Sequence, residues 1–364
     1  MTQPVTLNRL NYIGSKYPLL SWLTDTIQAK TGWTSFNNKV IADLCAGTGI
    51  VSYHFRTLGG TVLSNDAELY SYIVSHAMTR STYTDNCQRV ISQIQEELNA
   101  ENYQEMIGYI TRHYTPYETN ERQFFTVDNG KRIDYIRHRL EQLNVSDDER
   151  AFLLASLIVS ADAVSNVPAV YGCYLKNFKA KAIKPLRFLP VHTQSSYCEA
   201  SRAFNEDVLN PTFIENLNAL NPDVVYLDPP YNERQYSKNY FPLTMIAKSP
   251  TDLQKEAPLK GKTGIPTDCF LSPFCKKGGG AVERAFETLF RDLKSPWLFL
   301  SYNSESLIPK EKMIKLMEPY GEVSVVERDY KRFKSFDYNK DASIQEYLFC
   351  LRRRPTSPEP SKPL

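Results

Sequence analysis

A strand that ends on two prolines constrains this chain more than any other feature. Residues 224–227 form an unbroken apolar run, typical of a strand buried on both faces, and the run stops at Asp228-Pro229-Pro230-Tyr231. Proline lacks an N–H group and cannot continue a central strand, so these residues are expected to turn at the strand's carboxyl end. A carboxylate, a proline carbonyl and an aromatic ring therefore leave the sheet together.

An earlier segment predicts the kind of sheet to which this strand belongs. Residues 39–66 read as strand, glycine-rich turn, helix and second strand, ending at Asp66. This βαβ order predicts an α/β fold. Two further strands, 322–329 and 345–352, follow each other without an intervening helix, which predicts an antiparallel pair at one edge of the sheet.

The middle of the chain reads differently and suggests an insert. Residues 67–165 are mostly helical and polar, residues 166–200 are irregular, and residues 245–280 read as a loop. The helices predicted in the middle are 68–79, 86–100, 101–113, 130–142 and 147–164. We therefore predict an α/β domain of residues 1–79 and 200–352, a helical insert of residues 80–199, and a disordered, proline-rich tail of residues 353–364.

Composition excludes some classes of protein. The chain has 43 Lys and Arg against 41 Asp and Glu, so it is not a grossly basic, histone-like protein, although a local basic patch is allowed. Its seven cysteines are scattered without metal-ligand spacing, which indicates reduced thiols and no metal site. The N-terminus has no apolar signal segment, and no apolar run is long enough to span a bilayer. We expect a soluble cytoplasmic protein without membrane contacts.

The glycine-rich turn indicates a ligand at the carboxyl edge of the sheet. In the stretch Asp43-Leu44-Cys45-Ala46-Gly47-Thr48-Gly49, the glycines allow the backbone to approach a ligand closely. The stretch matches neither the dinucleotide fingerprint nor the phosphate loop. Asp66, at the end of the next strand, is placed to accept hydrogen bonds from ribose hydroxyls. A tight structural turn and a solvated Asp are the alternatives, but the pair favours an adenosine-containing cofactor.

The proline turn suggests chemistry on an amine. Asp228 and the Pro229 carbonyl can accept both hydrogens of a planar exocyclic NH2 group, which orients the nitrogen lone pair towards an electrophile. Tyr231 offers a ring face on which a heterocycle can stack. The alternative is a plain Asp-Pro turn that closes a strand.

Three motifs in this order resemble the DNA adenine-N6 methyltransferases of the D12 class, the family of Dam and the FokI-type modification methylases, in their α-group arrangement. Residues 11–16 (NYIGSK) are similar to the family's methionine-binding motif, 43–49 to its glycine loop and 228–231 to its catalytic motif. The likeness covers about residues 8–352, with smaller matches that include residues 205–207, 300–303 and 346–349. Ala46 departs from the family, where many members have two glycines or Cys-Gly.

The resemblance implies a Rossmann-like, seven-stranded mixed sheet, S-adenosylmethionine as cofactor, and methyl transfer to N6 of an adenine flipped out of double-stranded DNA. It implies that Tyr12 and Lys16 hold the methionine end, with Lys16 facing its carboxylate. The implied contacts to the rest of the cofactor come from Asp43, Leu44, Cys45, Ala46, Gly47, Gly49, Asp66 (ribose) and Asp207 (adenine amino group). Asp228 and Pro229, in the turn completed by Pro230, would bind the target amine, and Tyr231 would stack on the target base.

DNA contacts are expected mainly from the insert. Residues 165–187 mix cations with aromatic side chains, as a DNA-facing loop does, although a solvated basic loop would look the same. The residues predicted to contact DNA are Asn166, Tyr171, Tyr174, Lys176, Lys179, Lys181 and, before the last strand, Arg332. Residues 276–280 (KKGGG) read equally well as a phosphate-contacting loop or a linker.

We therefore expect a site-specific, adenine-specific DNA methyltransferase of bacterial or phage origin. No nuclease signature is visible, so a cognate restriction endonuclease would be a separate protein, and a solitary methylase is equally consistent. The alternatives are an N4-cytosine enzyme, which usually carries Ser-Pro-Pro-Tyr, an rRNA guanine-N2 enzyme, and a non-catalytic nucleic-acid-binding protein of the same fold. Asp228, the NYIGSK motif and the long insert favour adenine in DNA.

Overall fold

The structure, a computed structural model, describes residues 6–195, 199–255, 258–331 and 343–354. The strands are β1 (Val40–Asp43), β2 (Thr61–Asn65), β3 (Arg202–Phe204), β4 (Val224–Leu227), β5 (Leu259–Lys260), β6 (Ile265–Pro266), β7 (Trp297–Asn303), β8 (Gly321–Lys331) and β9 (Ser343–Arg353). The helices are α1 (Leu20–Thr31), α2 (Ile50–Thr57), α3 (Leu69–Thr79), α4 (Asp85–Asn99), α5 (Tyr109–Tyr114), α6 (Val127–Glu141), α7 (Asp147–Ala163), α8 (Pro211–Ala219), α9 (Tyr236–Ala247), α10 (Pro250–Leu253), α11 (Ala281–Asp292) and α12 (Lys310–Met317).

Seven strands form one sheet in the order β3-β2-β1-β4-β7-β9-β8. Five neighbouring strands of this sheet run parallel, namely β3, β2, β1, β4 and β7. β9 runs antiparallel to both of its neighbours, β7 and β8. This arrangement confirms the predicted Rossmann-like mixed sheet and its antiparallel edge. β4 is buried along its whole length, as its apolar sequence predicts for a central strand covered on both faces.

The strand order places the functional motifs together. The chain passes from β1 to β2 and β3 on one side and then returns to β4 on the other, so β1 and β4 flank a topological switch point. Asp43 ends β1 and pairs in register with Ser64 and Tyr226. Because ligands of open α/β sheets bind outside the carboxyl ends of the strands at such a point, the motif residues that follow β1, β2 and β4 converge there.

Three apolar clusters form the core. Two cover the faces of the sheet, and the third joins α3 and α9 to the helices between residues 85 and 163. α7 is the centre of the third cluster and is buried from Phe152 to Asp162. Its start is fixed by a capping box, in which Ser146 and Glu149 satisfy each other's backbone N–H groups. The predicted domain boundaries at 79/80 and 199/200 stay predictions.

The N-terminal segment is attached to the end of this helical region. Leu7 forms an antiparallel bridge with His192, and the Asn8 N–H donates to the Val191 carbonyl at 2.8 Å. The Asn8 side chain donates to the Pro190 carbonyl at 2.7 Å. The segment that leads into the NYIGSK motif is therefore held by residues 190–192.

Local predictions were wrong in two places. The helix predicted over 101–113 is present only as α5, because the Asp134 carboxylate accepts the backbone N–H groups of Gly108, Ile110 and Thr111 and so fixes a later helix start. The loop predicted over 245–280 contains the end of α9, all of α10 and the β5–β6 hairpin. Arg332 and residues 355–364 lie outside the described residues, so the predictions made for Arg332 and for most of the tail are untested there.

Candidate active site

A cavity of about 730 Å³ opens at the carboxyl edge of the parallel strands. Its walls come from the NYIGSK loop, the glycine-rich turn, the ends of β2, β4 and β9, and the segment before α11. The sequence-predicted residues that line it are Tyr12, Lys16, Asp43, Leu44, Cys45, Ala46, Gly47, Asp66, Asp207, Asp228, Pro229, Pro230 and Tyr231. Three motifs that are distant in sequence therefore face one space.

The two glycines of the turn have different surroundings. Gly47 has φ +55°, its N–H donates to Asp66 Oδ2 at 2.8 Å, and an added Cβ would lie 3.1 Å from the Tyr12 ring. Gly49 has φ +68° and does not line the cavity, since an added Cβ would lie 2.7 Å from the Ser75 Cα atom. Gly47 thus keeps ligand space open, and Gly49 permits α2 and α3 to pack closely.

Asp43 is a buried carboxylate that is only half satisfied. Its Oδ2 accepts the Ser52 hydroxyl at 2.7 Å, while Oδ1 has no partner among the residues that the structure describes. Burial raises the pKa of Asp43 to about 7, and the charges of Asp228 and Asp66 add to this shift. A buried oxygen without a donor is costly, so the site suits a ligand that brings a donor or a positive charge.

Further acidic groups share the cavity. Burial raises the pKa of Asp66, although the N–H groups of Glu68 and Gly47 oppose the shift. Burial, with the neighbouring Asp66 charge, also raises the pKa of Glu68 to about 8. Among the described lining residues, acidic side chains outnumber the two basic ones, Arg9 and Lys16. This charge pattern complements a cationic ligand such as a sulfonium that also carries an ammonium group.

Asp207 is positioned by the end of β2. The Asn65 side chain donates to the carbonyls of Leu44 and Glu206, and its own oxygen accepts the Glu206 N–H at 3.0 Å. Asn65 thereby ties the glycine-rich turn to the residue before Asp207. Asp207 accepts the Leu209 N–H at 3.0 Å and faces the cavity.

Lys16 contacts the proline turn directly. Its ammonium lies 2.9 Å from Asp228 Oδ1, donates to the Gly14 carbonyl at 3.0 Å, and lies 4.9 Å from the centroid of the Tyr231 ring. The Tyr231 hydroxyl donates to the same Asp228 oxygen at 2.8 Å. Lys16 lines the cavity with its ammonium on Asp228, and its predicted contact with a methionine carboxylate stays a prediction. Lys16 and Tyr231 together orient the Asp228 carboxylate.

The NYIGSK loop is held by helices that the motif itself does not reveal. The Tyr12 ring lies 4.7 Å from that of Tyr240 and 5.4 Å from that of Tyr236, both on α9. The Tyr240 hydroxyl accepts the Ile13 N–H at 2.9 Å, and Asp162 at the end of α7 accepts the Asn11 N–H at 2.7 Å. Sequence analysis missed α9, because Pro242 lies inside it.

Glu346 is a further cavity residue, which sequence analysis noted only within a minor motif match. It lies on β9 opposite Asn303 of β7 and is 6% exposed. Its Oε2 atom has no partner within the described ranges. Burial raises the pKa of Glu346 to about 7, with Asp228 adding to the shift and Lys16 opposing it. The strand register, invisible in the sequence, brings it to the site.

The residues predicted to contact DNA differ in how deeply they are buried. Asn166 and Tyr171 are fully buried. The Asn166 amide donates to the carbonyls of Gln123 and Leu175, and the Tyr171 hydroxyl donates to Asp162 at 2.7 Å. Neither side chain reaches the surface, because residues 166–179 fold back over the end of α7.

The other predicted contact residues lie nearer to solvent. Lys176 is exposed, and Tyr174 is half-buried with its ring 5.2 Å from that of Phe124. Lys179 donates to the Val167 carbonyl at 2.6 Å, and Lys181 lies 3.4 Å from the Asp162 carbonyl. Of these four side chains, Lys176 is therefore the one best placed to reach a phosphate.

The fold and the cavity define a Rossmann-like methyltransferase, and comparison with known proteins gives its family. The chain belongs to the D12 class N6 adenine-specific DNA methyltransferases, whose pattern matches residues 12–260. It is 37% identical over 351 residues to the type II methyltransferase M.CviAII of Paramecium bursaria Chlorella virus 1, covering 95% of this chain and 99% of that protein.

Two further relatives extend the comparison. The type II methyltransferase M.NlaIII of Neisseria lactamica is 36% identical, covering 94% of this chain and 99% of that protein. The type II methyltransferase M.FokI of Planomicrobium okeanokoites is 31% identical over 94% of this chain but only 53% of that protein. The similarity thus extends over nearly the whole of this chain. Within the described ranges, no helix combines the length and apolarity needed to cross a bilayer.

Proposed function

We propose that this protein transfers a methyl group from S-adenosylmethionine to N6 of an adenine at a specific site in double-stranded DNA. The observation that carries the proposal is the Asp228 carboxylate, fixed by Lys16 and Tyr231 beside an acid-rich cavity at the switch point of the sheet. Membership of the adenine-specific family supports adenine over cytosine and guanine as the target base.

The cavity fits the cofactor by charge and shape. S-adenosylmethionine supplies an electrophilic methyl group on a positively charged sulfur. In our assignment the methionine end lies near Tyr12 and Asp43, whose unpartnered oxygen suits an ammonium donor. Asp66 binds the ribose hydroxyls, and Asp207 accepts from the adenine amino group. The glycine at position 47 leaves room for the cofactor beside the Tyr12 ring.

The protein acts on the target amine by orientation. Lys16 and Tyr231 both donate to Oδ1 of Asp228, so the rest of this carboxylate and the Pro229 carbonyl accept the two amine hydrogens. Holding both hydrogens turns the nitrogen lone pair towards the methyl group and stabilises the positive charge that develops on nitrogen until one of these hydrogens leaves as a proton to solvent. Tyr231 keeps an aromatic face near the base while its hydroxyl holds Asp228. Its ring packs edge-on at 5.0 Å against Tyr302, which fixes that position.

The biological setting is also proposed. Two relatives that match over 99% of their own length are named type II methyltransferases, which supports a role in restriction-modification. The cognate endonuclease would then be a separate protein, and the cytoplasm of a bacterium or of a virus-infected cell would be the place of action. We assign target recognition to the helical insert, since α7 and the NYIGSK loop connect it to the cavity.

The test is a transfer assay with labelled S-adenosylmethionine and unmethylated genomic DNA, followed by digestion to nucleosides. We expect label in N6-methyladenine, and its loss in Asp228→Asn, which keeps the shape of the side chain but exchanges an acceptor oxygen for a donor. Label in N4-methylcytosine would contradict the target base. In a parallel reaction with rRNA, label in rRNA while the DNA stays unlabelled would contradict DNA as the substrate.

A further inference from the structure

Two neighbouring large apolar side chains stand at the rim of the active-site cavity. Phe270 is 37% exposed and Leu271 is 48% exposed, and Phe270 also lines the cavity. Single exposed apolar residues are ordinary on protein surfaces. An adjacent pair at the entrance of a cavity that must admit a base is instead placed to contact the DNA next to that base.

Hydrogen bonds hold the segment that carries Phe270 and Leu271 in place. The Gln235 amide donates to the Ser272 carbonyl at 3.1 Å, and the Ser272 N–H donates to the Gln235 side-chain oxygen at 2.8 Å. The Ser237 hydroxyl donates to the Phe270 carbonyl. Since α9 begins at Tyr236, shortly after the Asp228 turn, these bonds tie the pair to the catalytic turn.

Ring contacts place this segment on the target-base side of the cavity. The Phe274 ring lies 5.0 Å from that of Phe286, and Phe286 lies 5.7 Å from Tyr302. Tyr302 in turn lies 5.0 Å from Tyr231. A continuous set of packed rings therefore runs from the segment that carries Phe270 and Leu271 to the ring proposed to face the target base.

Exposed cations lie next to the residues that hold the pair, Gln235 and Ser237, and shortly after the pair in sequence. They are Arg234, Lys238, Lys276 and Lys277, and the exposed acidic residues nearby are Glu233 and Asp268. The excess of cations suits a phosphate backbone. An apolar pair near cations, at the entrance of a cavity large enough to admit a base, fits a DNA duplex better than an apolar protein surface.

We propose that Phe270 and Leu271 form a wedge that enters the DNA duplex beside the target adenine and replaces the stacking lost when that base leaves the helix. The inference rests on the proposed function and adds to it the residues that open the duplex. Apolar side chains inserted at a base step offset part of the unstacking cost. The wedge therefore matters only while the target base is paired and stacked.

The test compares two synthetic duplexes that carry the site mapped by sequencing DNA methylated by this protein. In one duplex the target adenine is paired, and in the other it lies opposite an abasic position. The variants are Phe270→Ala/Leu271→Ala and the matched control Leu58→Ala, whose side chain is also 37% exposed but lies at the end of α2. Fluorescence of 2-aminopurine at the target position reports extrusion of the base.

We expect the double variant to lose about tenfold or more in kcat/KM on the paired duplex, with a weaker 2-aminopurine signal, and to regain nearly wild-type activity on the abasic duplex. Leu58→Ala should match the wild type on both. Equal losses on the two duplexes, or no loss on either, would overturn the wedge. A wild-type protein that methylates no DNA, and so leaves no site to map, would overturn the proposed function and the wedge with it.

Discussion

The ammonium group of Lys16 and the hydroxyl of Tyr231 donate to one oxygen of Asp228, at 2.9 and 2.8 Å. Two residues that lie more than half of the chain apart in sequence thus share an acceptor in the proline turn. The NYIGSK motif therefore contributes to the orientation of Asp228 as well as to the wall of the cavity.

Replacing Lys16 by Gln removes the cation from Asp228. Lys16 is 4% exposed, and removal of one partner of a buried ion pair is costly, so we expect kcat to fall roughly tenfold to a hundredfold. The dissociation constant of the cofactor, measured by calorimetry, should change little. A large rise in that constant with an unchanged kcat would instead place Lys16 on the methionine carboxylate. Lys315→Gln, an exposed lysine on α12, serves as the control.

The two glycines of the turn should respond differently to alanine. Gly49→Ala forces a Cβ against the Ser75 backbone, and we expect it to lower the free energy of unfolding by about 2–4 kcal/mol. Gly47→Ala should weaken cofactor binding by about tenfold, since its Cβ narrows the space beside Tyr12. Gly32→Ala, with φ +75° and open surroundings, reports the backbone strain alone. Equal effects of Gly47→Ala and Gly32→Ala on cofactor binding would contradict this assignment.

Cofactor binding should depend on pH through Asp43. Burial raises the pKa of this group to about 7, so below pH 7 it is mostly protonated in the unliganded protein. A cationic ligand favours the ionised form, so affinity should rise as the pH increases to about 7, with release of a proton, and should level off above that pH. Calorimetry in buffers of different ionisation enthalpy measures that proton. If Asp43→Asn leaves the pH dependence unchanged, another group is responsible.

The same raised pKa of Asp43 should make the stability of the unliganded protein fall as the pH rises, whereas cofactor affinity rises. Folded Asp43 holds its proton more tightly than unfolded Asp43, so its contribution to stability is present at low pH and is lost as the pH rises to about 7. Asp43→Asn should therefore stabilise the unliganded protein more at pH 8 than at pH 5, as thermal denaturation would show. If Asp43→Asn stabilised the protein only at pH 5, this result would contradict a raised pKa of Asp43.

The predicted DNA contacts divide into exposed and buried side chains. Lys176→Ala should weaken DNA binding and reduce the slope of log affinity against log salt by about one, because it removes one phosphate contact. Tyr171→Phe should leave this slope unchanged and cost about 1–3 kcal/mol of stability, since a bond to buried Asp162 is lost. Binding titrations at several salt concentrations and denaturation curves distinguish the two variants.

The sequence predicts the sheet and the cavity walls better than the contacts inside the cavity. The βαβ pattern and the Asp228 turn are local signals, and the switch-point rule brings them together. The partner of Lys16 depends on a three-dimensional distance that no local pattern contains. Asn166 and Tyr171 have the composition of a DNA-facing loop, yet their polar atoms are bound within the protein. Pro242 disfavours a helix in the sequence pattern of α9, yet the helix forms because most of its side chains are buried against neighbouring elements.

The attachment of the N-terminal segment to residues 190–192 defines what can be exchanged between relatives. Leu7 and Asn8 bind His192, Val191 and Pro190, and a few positions later the Asn11 N–H binds Asp162. A chimera that takes only residues 80–199 from another methylase would replace residues 190–192 and Asp162 while keeping the original residues 7–11 that contact them. If the insert determines sequence preference, as proposed, a chimera that alters this preference needs residues 7–11 of the donor as well as its insert.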